Sequence, residues 1–465
     1  MRFGPQLGRL VEGSTLVIVL WISLGLVSMA LYFANSMSLE LKAADYRVCG
    51  LAADQAIEGA ARYVASVLAN AETNGIVPDP ATYLREAVPV GVATATGREA
   101  RFWLIGRETN SVPLGQMEFG LVDEASKLNL NSVSSNMLIW VPGITEEMTI
   151  AILDWRDTNG GSGAYDMFYG MAHPPYLNKA AFFETVDELR MVYGAEDQIL
   201  FGEDTNRNGV LDPNETDSDR NGTATSGLIE FFTVYTREPN TYSNGVARVD
   251  IRQVGSAGPF QELLQSVLGS SRAEQILTRL GVLGGGTGGP GGGIQQRRFR
   301  SPLELYRESG MTAEEFALVE HSITTTTNTH IVGRVNINSA STAVLACLPG
   351  LSESLDLADL VVKYREANPS RPDTVAWIVD ALGSNNASAL DQLARSDCLT
   401  TRSYQYSADI AALGPYGRGF RRTRLVFDTA DGAPRIIYRQ DLTHLGWALG
   451  TDVREAYLNR IKTPL

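Results

Sequence analysis

Between Leu16 and Ala34 the chain reads LVIVLWISLGLVSMALYFA, without a charged residue. A run of that length crosses a bilayer as a helix. Arg2 and Arg9 precede it, so the N-terminus belongs in the cytoplasm and the chain after Ala34 belongs outside. The apolar pattern does not end at the membrane. Leu39, Leu41, Ala44, Val48, Leu51, Ala52, Ile57, Ala60, Ala61 and Val64 keep helical spacing, with no proline before Pro78. This predicts one helix from the membrane to about residue 70. A cleavable signal peptide has a shorter core, about 7–15 residues, ending at a small-residue site. Phe33-Ala34-Asn35 does not supply that site.

Further along the chain the period changes. Ala100–Ile105 and Leu114–Val122 read as strands, followed by a Leu/Ala/Glu-rich helical region from about 125 to 400. Ser403–Ala412, Thr423–Asp428 and Pro434–Asp441 return to strand-like alternation, with a turn at Ala430-Asp431-Gly432. A helical body inserted between strands predicts an α+β chain whose antiparallel sheet is completed late. The run from Gly284 to Gly293 is a flexible glycine-rich linker. A phosphate-cradling loop would need Lys-Ser/Thr behind it, and Ile294-Gln295-Gln296 follows instead.

One segment occurs twice. Residues 127–146 read KLNLNSVSSNMLIWVPGITE and residues 334–353 read RVNINSASTAVLACLPGLSE, at a constant offset of 207. Asn129/Asn336, Asn131/Asn338, Leu138/Leu345, Pro142/Pro349 and Gly143/Gly350 are identical, and each copy runs on into a helix ending Trp155-Arg156 or Tyr364-Arg365. Each reads as helix, Pro-Gly turn, helix, and resembles the helix-hairpin-helix motif. In the nucleic-acid-binding version a second glycine lets backbone N–H groups approach a phosphate. Here that position is Thr145 or Ser352, and Glu146, Glu147, Glu353 and Asp356 follow. Phosphate binding needs lysine and arginine there. The two copies are therefore expected to be packing modules.

Composition narrows the function classes. The 465 residues are 44% apolar with a net charge of −14, enough apolar content for a real core and the wrong sign for DNA or anionic lipid as general partners. An acidic exterior is compatible with divalent cations. There is no GxSxG, HExxH, Walker A or GxGxxG, and His173, His321, His330 and His444 stand apart, so no enzyme is expected. Of the three cysteines, Cys347 and Cys398 flank one helical segment. Spacing leaves two readings open, a disulfide or two separate buried thiols.

The acidic stretch DTNRNGVLDPNE, residues 204–215, has the spacing of a twelve-residue calcium loop. Asp204, Asn206 and Asn208 stand at positions 1, 3 and 5, and Gly209 at the sharp turn. The Val210 carbonyl is at 7, Asp212 at 9, and Glu215 at 12, where it can bind bidentately. The exiting helix is missing, because residues 216–222 are turn-like. They begin another D-x-D-x-N-G series, with Leu228 where its glutamate should be. One structural calcium site is expected, not a sensor pair. Asp154, Asp157 and Asn159 read as a helix end with a polar turn.

The N-terminus resembles the type IV pilin and pseudopilin signature, in which a peptidase cuts after a leader glycine. Here that places cleavage between Gly13 and Ser14. The fifth mature residue, usually glutamate, is Ile18. That glutamate pairs with the amine of the subunit ahead, and a subunit with none ahead needs no such carboxylate. With the Asn-x-Asn/Pro-Gly modules, the acidic loop and the late strands, most of the chain resembles protein K of type II secretion systems. Further matches are Asp123–Asn131, Ile152–Asp157, Glu184–Arg190 and Asp441–Trp447. The resemblance implies a minor pseudopilin processed by the prepilin peptidase and anchored in the inner membrane, with its bulk in the periplasm. It would sit with other minor pseudopilins at the tip of a filament that exports folded proteins, with calcium in its helical body and no nucleic acid as partner. The implied division is a leader (1–13), a transmembrane helix (14–35), the helix extension with the first strands (36–122), and a first helical module with the calcium loop (123–240). An insertion (241–333), a second module (334–400) and the C-terminal strands (401–465) follow. The alternative is a membrane-anchored helix-hairpin-helix protein of DNA uptake, which the hairpin acidity disfavours.

Overall fold

Helix α1 runs unbroken from Glu12 to Ala69 in the computed structural model. The described residues are 12–71, 78, 88–90, 99–107, 117–242, 245–254, 258–283, 297–352, 354–450 and 453. Most of the leader, the Gly-rich linker, Glu353 and residues 114–116 lie outside them, and the rest of the expected strand 114–122 is not one: residues 117–121 hold only an isolated bridge from Phe119 to Ile105, and a strand begins at Val122. The helix is bare over its first half, with Leu16 at 71% and Ile18 at 54% exposure, and this stretch is long and apolar enough to cross a membrane. Gly13 and Ser14 lie within the helical backbone.

The second half of α1 presents Ala53, Ala56, Ile57, Ala60, Ala61, Val64 and Leu68 along one face. That face meets an antiparallel sheet. Its strands are β1 (Val88–Val90), β2 (Ala100–Ile105), β3 (Val122–Asp123), β4 (Gln405–Gly414), β5 (Arg418–Asp428) and β6 (Arg435–Asp441). The order is β1-β2-β4-β5-β6, with β3 also paired to β4. The first strands and the last strands are neighbours although some 300 residues separate Ile105 from Gln405. Alternation sorts β4: Tyr406, Ala408, Ile410 and Ala412 face α1 with Phe102, Leu104, Leu425 and Phe427. Three of the helix residues are alanines with no exposed surface, which lets the helix lie close to the strands. The opposite face packs Trp103, Ile105, Ala411 and Leu413 under Ala448 and Leu449.

The helical body between β3 and β4 has its own core, running from Leu128 to Leu399. The sequence repeat is real in three dimensions. In the first module Leu128–Asn129 pairs in parallel with Phe232–Thr233, Asn131 N donates to Asn129 Oδ1 (2.9 Å), and Leu130 N donates to the Thr233 carbonyl (2.9 Å). In the last module Val335–Asn336 pairs with Leu399–Thr400, Asn338 N donates to Asn336 Oδ1 (2.9 Å), and Ile337 N donates to the Thr400 carbonyl (3.0 Å). Arg156 and Arg365 reach back to equivalent carbonyls, of Leu130 and Val133 and of Ile337 and Ala340.

Residues 241–333 are not a foreign insertion. Val249–Asp250 pairs in parallel with Ile323–Thr324, Arg252 N donates to Asp250 Oδ1 (2.8 Å), and Ile251 N donates to the Thr324 carbonyl (2.9 Å). The threonines close identical side-chain turns: Tyr235 N, Thr326 N and Arg402 N donate to the hydroxyls of Thr233, Thr324 and Thr400. Each module then turns between two helices on a glycine in the left-handed region: Gly143 (φ 80°), Gly269 (φ 83°) and Gly350 (φ 86°). The body is three copies of one unit. The middle copy escapes a sequence comparison because Asn-x-Asn has become Asp250-Ile251-Arg252 and Pro-Gly has become Leu268-Gly269.

Cys347 and Cys398 do not pair. Both are buried thiols. Cys347 donates to the Ala343 carbonyl (3.2 Å) and Cys398 sits against Ser396 Oγ (3.0 Å).

The hairpin glycines differ in their surroundings, which gives a test. A Cβ at Gly350 would lie 2.4 Å from the Ala389 carbonyl oxygen, whereas nothing lies within 4 Å at Gly143. Gly143→Ala should cost only the left-handed backbone penalty, about 1–2 kcal/mol. Gly350→Ala should cost that and on the order of 1–3 kcal/mol more for the clash. Urea unfolding of the two variants checks the order.

Candidate cation site and its seat on the sheet

A short helix, Asp197–Phe201, ends on Gly202 and delivers the chain into residues 204–215. The loop winds tightly because Arg207 (φ 58°) and Gly209 (φ 84°) both take the left-handed conformation. Asp204 is buried and organises the turn, its two oxygens accepting from Asn208 N (2.9 Å) and Gly209 N (2.7 Å). Asn208 Oδ1 accepts from Val210 N (2.8 Å). Glu215 folds back across the loop and accepts from Asn206 N (3.1 Å), Asp212 N (3.0 Å) and the Thr205 hydroxyl (2.9 Å). These bonds tie Asn206, Asn208, Asp212 and Glu215 together around the turn that Asp204 organises, while among the described residues the acidic side chains whose oxygens converge within 4.8 Å are those of Glu203, Asp217 and Asp219. After Glu215 no helix follows until the short turn at Leu228–Phe231, as the sequence implied.

The donor set suits a hard cation that takes oxygen ligands. The amides of Asn206 and Asn208 both aim Nδ2 at Asp212 Oδ2, at 2.5 and 2.8 Å. Asn206 Oδ1 is buried with no hydrogen-bond partner. A buried carbonyl oxygen without a donor is costly. Turning that amide about its last bond exchanges nitrogen for oxygen and turns a lone pair toward the side of the Asp212 carboxylate. A cation there would take that oxygen together with the Asp212 carboxylate. The residue types suit calcium, for which Asp204, Asn206, Asn208, Asp212 and Glu215 would be the side-chain ligands.

The next turn repeats this geometry. Asp217 accepts from Asn221 N (3.2 Å) and Gly222 N (3.1 Å), and Arg220 and Gly222 are again left-handed. No glutamate follows at the twelfth position. Glu203 comes instead from the N-terminal side and places an oxygen within 4.8 Å of those of Asp217 and Asp219. A spacing rule that looks only forward along the chain misses it.

The loop is seated on the far face of the sheet by buried charges. Arg422 of β5 is fully buried. It grips Asp409 of β4 through Nε (2.8 Å) and Nη2 (2.7 Å) and donates to the carbonyls of Asn206 and Arg207, both at 2.5 Å. Arg107 donates to the same Arg207 carbonyl (2.6 Å) and pairs with Glu230 (2.9 Å). Asn208 Nδ2 donates to the Ala448 carbonyl (3.1 Å), which ties the loop to the C-terminal segment. A second joint lies at Asp123 and Glu124, where the chain leaves the sheet. Asp123 accepts from Ala125 N (2.8 Å), Asn336 Nδ2 (3.0 Å), Ser403 Oγ (2.5 Å) and the Ser339 hydroxyl. Glu124 accepts from Thr233 Oγ1 (2.5 Å), Lys127 Nζ (3.1 Å) and the Ser407 hydroxyl.

The chain matches no family model and no curated protein. Among solved structures it is similar to a chain of the GspK–GspI–GspJ complex from the type 2 secretion system of enterotoxigenic Escherichia coli. The two are 10% identical, with a TM-score of 0.38, over 83% of this chain and 96% of that one.

Burial pushes the Asp409 carboxyl up, but Arg422, Arg424 and Arg107 outweigh burial and hold it down at about 2. At Glu230 burial is likewise overridden by Arg107 and Arg424, and the carboxyl sits well below the usual range. Both folded values lie under the unfolded ones. They contribute stability that is complete above about pH 4.5 and is lost as pH falls toward 2. Asp204 runs the other way: burial, with Glu230 adding, raises it against the pull of Arg107. Melting temperature of the detergent-solubilised chain should fall steeply between about pH 4.5 and 2. Asp409→Asn should start lower at neutral pH and lose part of that slope.

Proposed function

We propose that the chain is a minor pseudopilin of a type II secretion system, placed at the tip of the periplasmic filament that drives export of folded proteins. One observation carries the reading. A single helix is bare and apolar from Leu16 to Ala34 and is covered further on by an antiparallel sheet along Ala53–Leu68. Such a helix serves two solvents, lipid at one end and protein at the other. The prepilin peptidase cuts between Gly13 and Ser14, leaving Ser14 as the first residue of the membrane helix. Ile18 then occupies the position where a filament subunit keeps a carboxylate for the subunit ahead, so this subunit has others below it and none above. Three helical modules hung on one side of the sheet would be hard to stack repeatedly along a filament. Calcium, held by Asp204, Asn206, Asn208, the Val210 carbonyl, Asp212 and Glu215, has a structural role. Its affinity is expected at roughly 10⁻⁴–10⁻³ M, the range of extracellular sites. Nucleic-acid binding is disfavoured by the first hairpin, where Glu146 and Glu147 are exposed.

Mass spectrometry of the N-terminus should find Ser14 with a free or modified amine. A mature chain starting at Asn35 would make this an ordinary exported protein. Crosslinking in cells should join the chain to other minor pseudopilins and not to a second copy of itself. For calcium, the melting temperature at millimolar calcium should exceed that in chelator by about 1–2 °C. Binding of ligand to the folded form at ten times the dissociation constant contributes about 1.4 kcal/mol. Asp204→Ala and Glu215→Ala should each abolish the difference.

A further inference from the structure

We infer that Arg422 is a positioning residue for the cation loop, and that cation binding and the seating of the helical body on the sheet are one coupled equilibrium. The inference rests on the calcium reading of residues 204–215 and adds what controls that site.

The geometry is specific. A twelve-residue loop must hold its ligands while its backbone passes through a left-handed residue, here Arg207 at φ 58°. For a side chain with a Cβ that conformation is unfavourable by about 1–2 kcal/mol. The two carbonyls flanking this kink, those of Asn206 and Arg207, are both taken by Arg422, and the second also by Arg107. The planar fork fixes both oxygens at once because Asp409 locks it from behind. Asn206 belongs to the ligand set through its side chain and to the sheet through its carbonyl. Asn208 does the same, aiming its amide at Asp212 and at the Ala448 carbonyl. Loop shape and sheet contact therefore share atoms. A cation that favours the wound loop must favour its seat on β4 and β5, and the seat must favour the cation by the same factor.

Lysine in place of Arg422 keeps the charge beside Asp409 and loses the fork. Calcium titration of the full mature chain in detergent micelles, by calorimetry, should show Arg422→Lys binding about tenfold more weakly than wild type, inside the usual 5–150-fold range of such couplings. Arg424→Lys, which keeps the charge and loses a guanidinium bond to Asp409 but no bond to the loop, should bind within about twofold of wild type. Hydrogen exchange of the wild type provides the reciprocal reading and needs no variant to fold. Calcium should slow exchange in residues 420–426 and 442–449 as well as in 204–215. Wild-type affinity in Arg422→Lys, or protection confined to 204–215, would overturn the coupling while leaving the calcium site standing. No calcium binding by the wild type would instead remove the site on which the inference rests.

Discussion

Charge buried between the sheet and the helical body dictates how the two halves meet. Asp123, Glu124, Asp409 and Arg422 are each less than a tenth exposed, and Arg107 and Glu230 are little more so. Removing an ion from water costs several kcal/mol, recovered only when partners and geometry are right. Such a seam is a poor source of net stability and a strong source of specificity. A body displaced by a few ångströms would strand Asp123 among hydroxyls it could no longer reach and leave Arg422 without acceptors. An apolar seam would tolerate sliding. This one has a single register, which matters for a sheet whose central strand β4 arrives some 280 residues after its neighbour β3.

What the sequence made legible follows from how local each signal is. The helix from the apolar N-terminal run to Ala69 was readable because one period governs it. β2, β4, β5 and β6 were readable from alternation, with ends displaced by a few residues. The first and last modules were readable because Asn129 and Asn336 keep the same side chain for the same turn. The middle module uses Asp250 for that turn, an equally good acceptor for the N–H two residues on, and so hides from a comparison of letters while preserving the bond. Glu203 was illegible for a different reason. Its role depends on a chain reversal between Gly202 and Thr225, where Glu203 N bonds the Thr225 carbonyl, and no forward spacing encodes that. Cys347 and Cys398 bracket a segment in sequence, but each is committed to a local acceptor.

Asp123 and Glu124 illustrate the limit on the candidate site. As a pair of neighbouring acids after a strand, they look like a solvated turn. Their partners, Ser339, Asn336, Ser403 and Ser407, come from distant parts of the chain, and only the closed sheet brings them together. The wound loop of residues 204–215 was legible because its acidic and amide residues are contiguous, and its seat was not, because Arg422 comes from β5 and Arg107 from just past the end of β2, on either side of β4.

The same logic explains why a body of this size needs such fixings. In the first and last modules the helix before the hairpin has four residues, Ser135–Leu138 and Thr342–Leu345, and every parallel strand pair has two residues on each side. Helices of that length do not hold together alone, and a two-residue ladder adds little. The modules are stable only by pooling one core, and the long connections inside them must be held by something other than secondary structure. Residues 202–227 form the longest such stretch, and they carry both Asp-x-Asx-Arg-Asn-Gly turns. Oxygen-rich turns gain order from a cation at no cost in apolar surface, whereas a helix in the same place would need a new face of core to lie on. Wherever such a cation is at hand, a loop of this kind can brace a long connection against the sheet without any new apolar face.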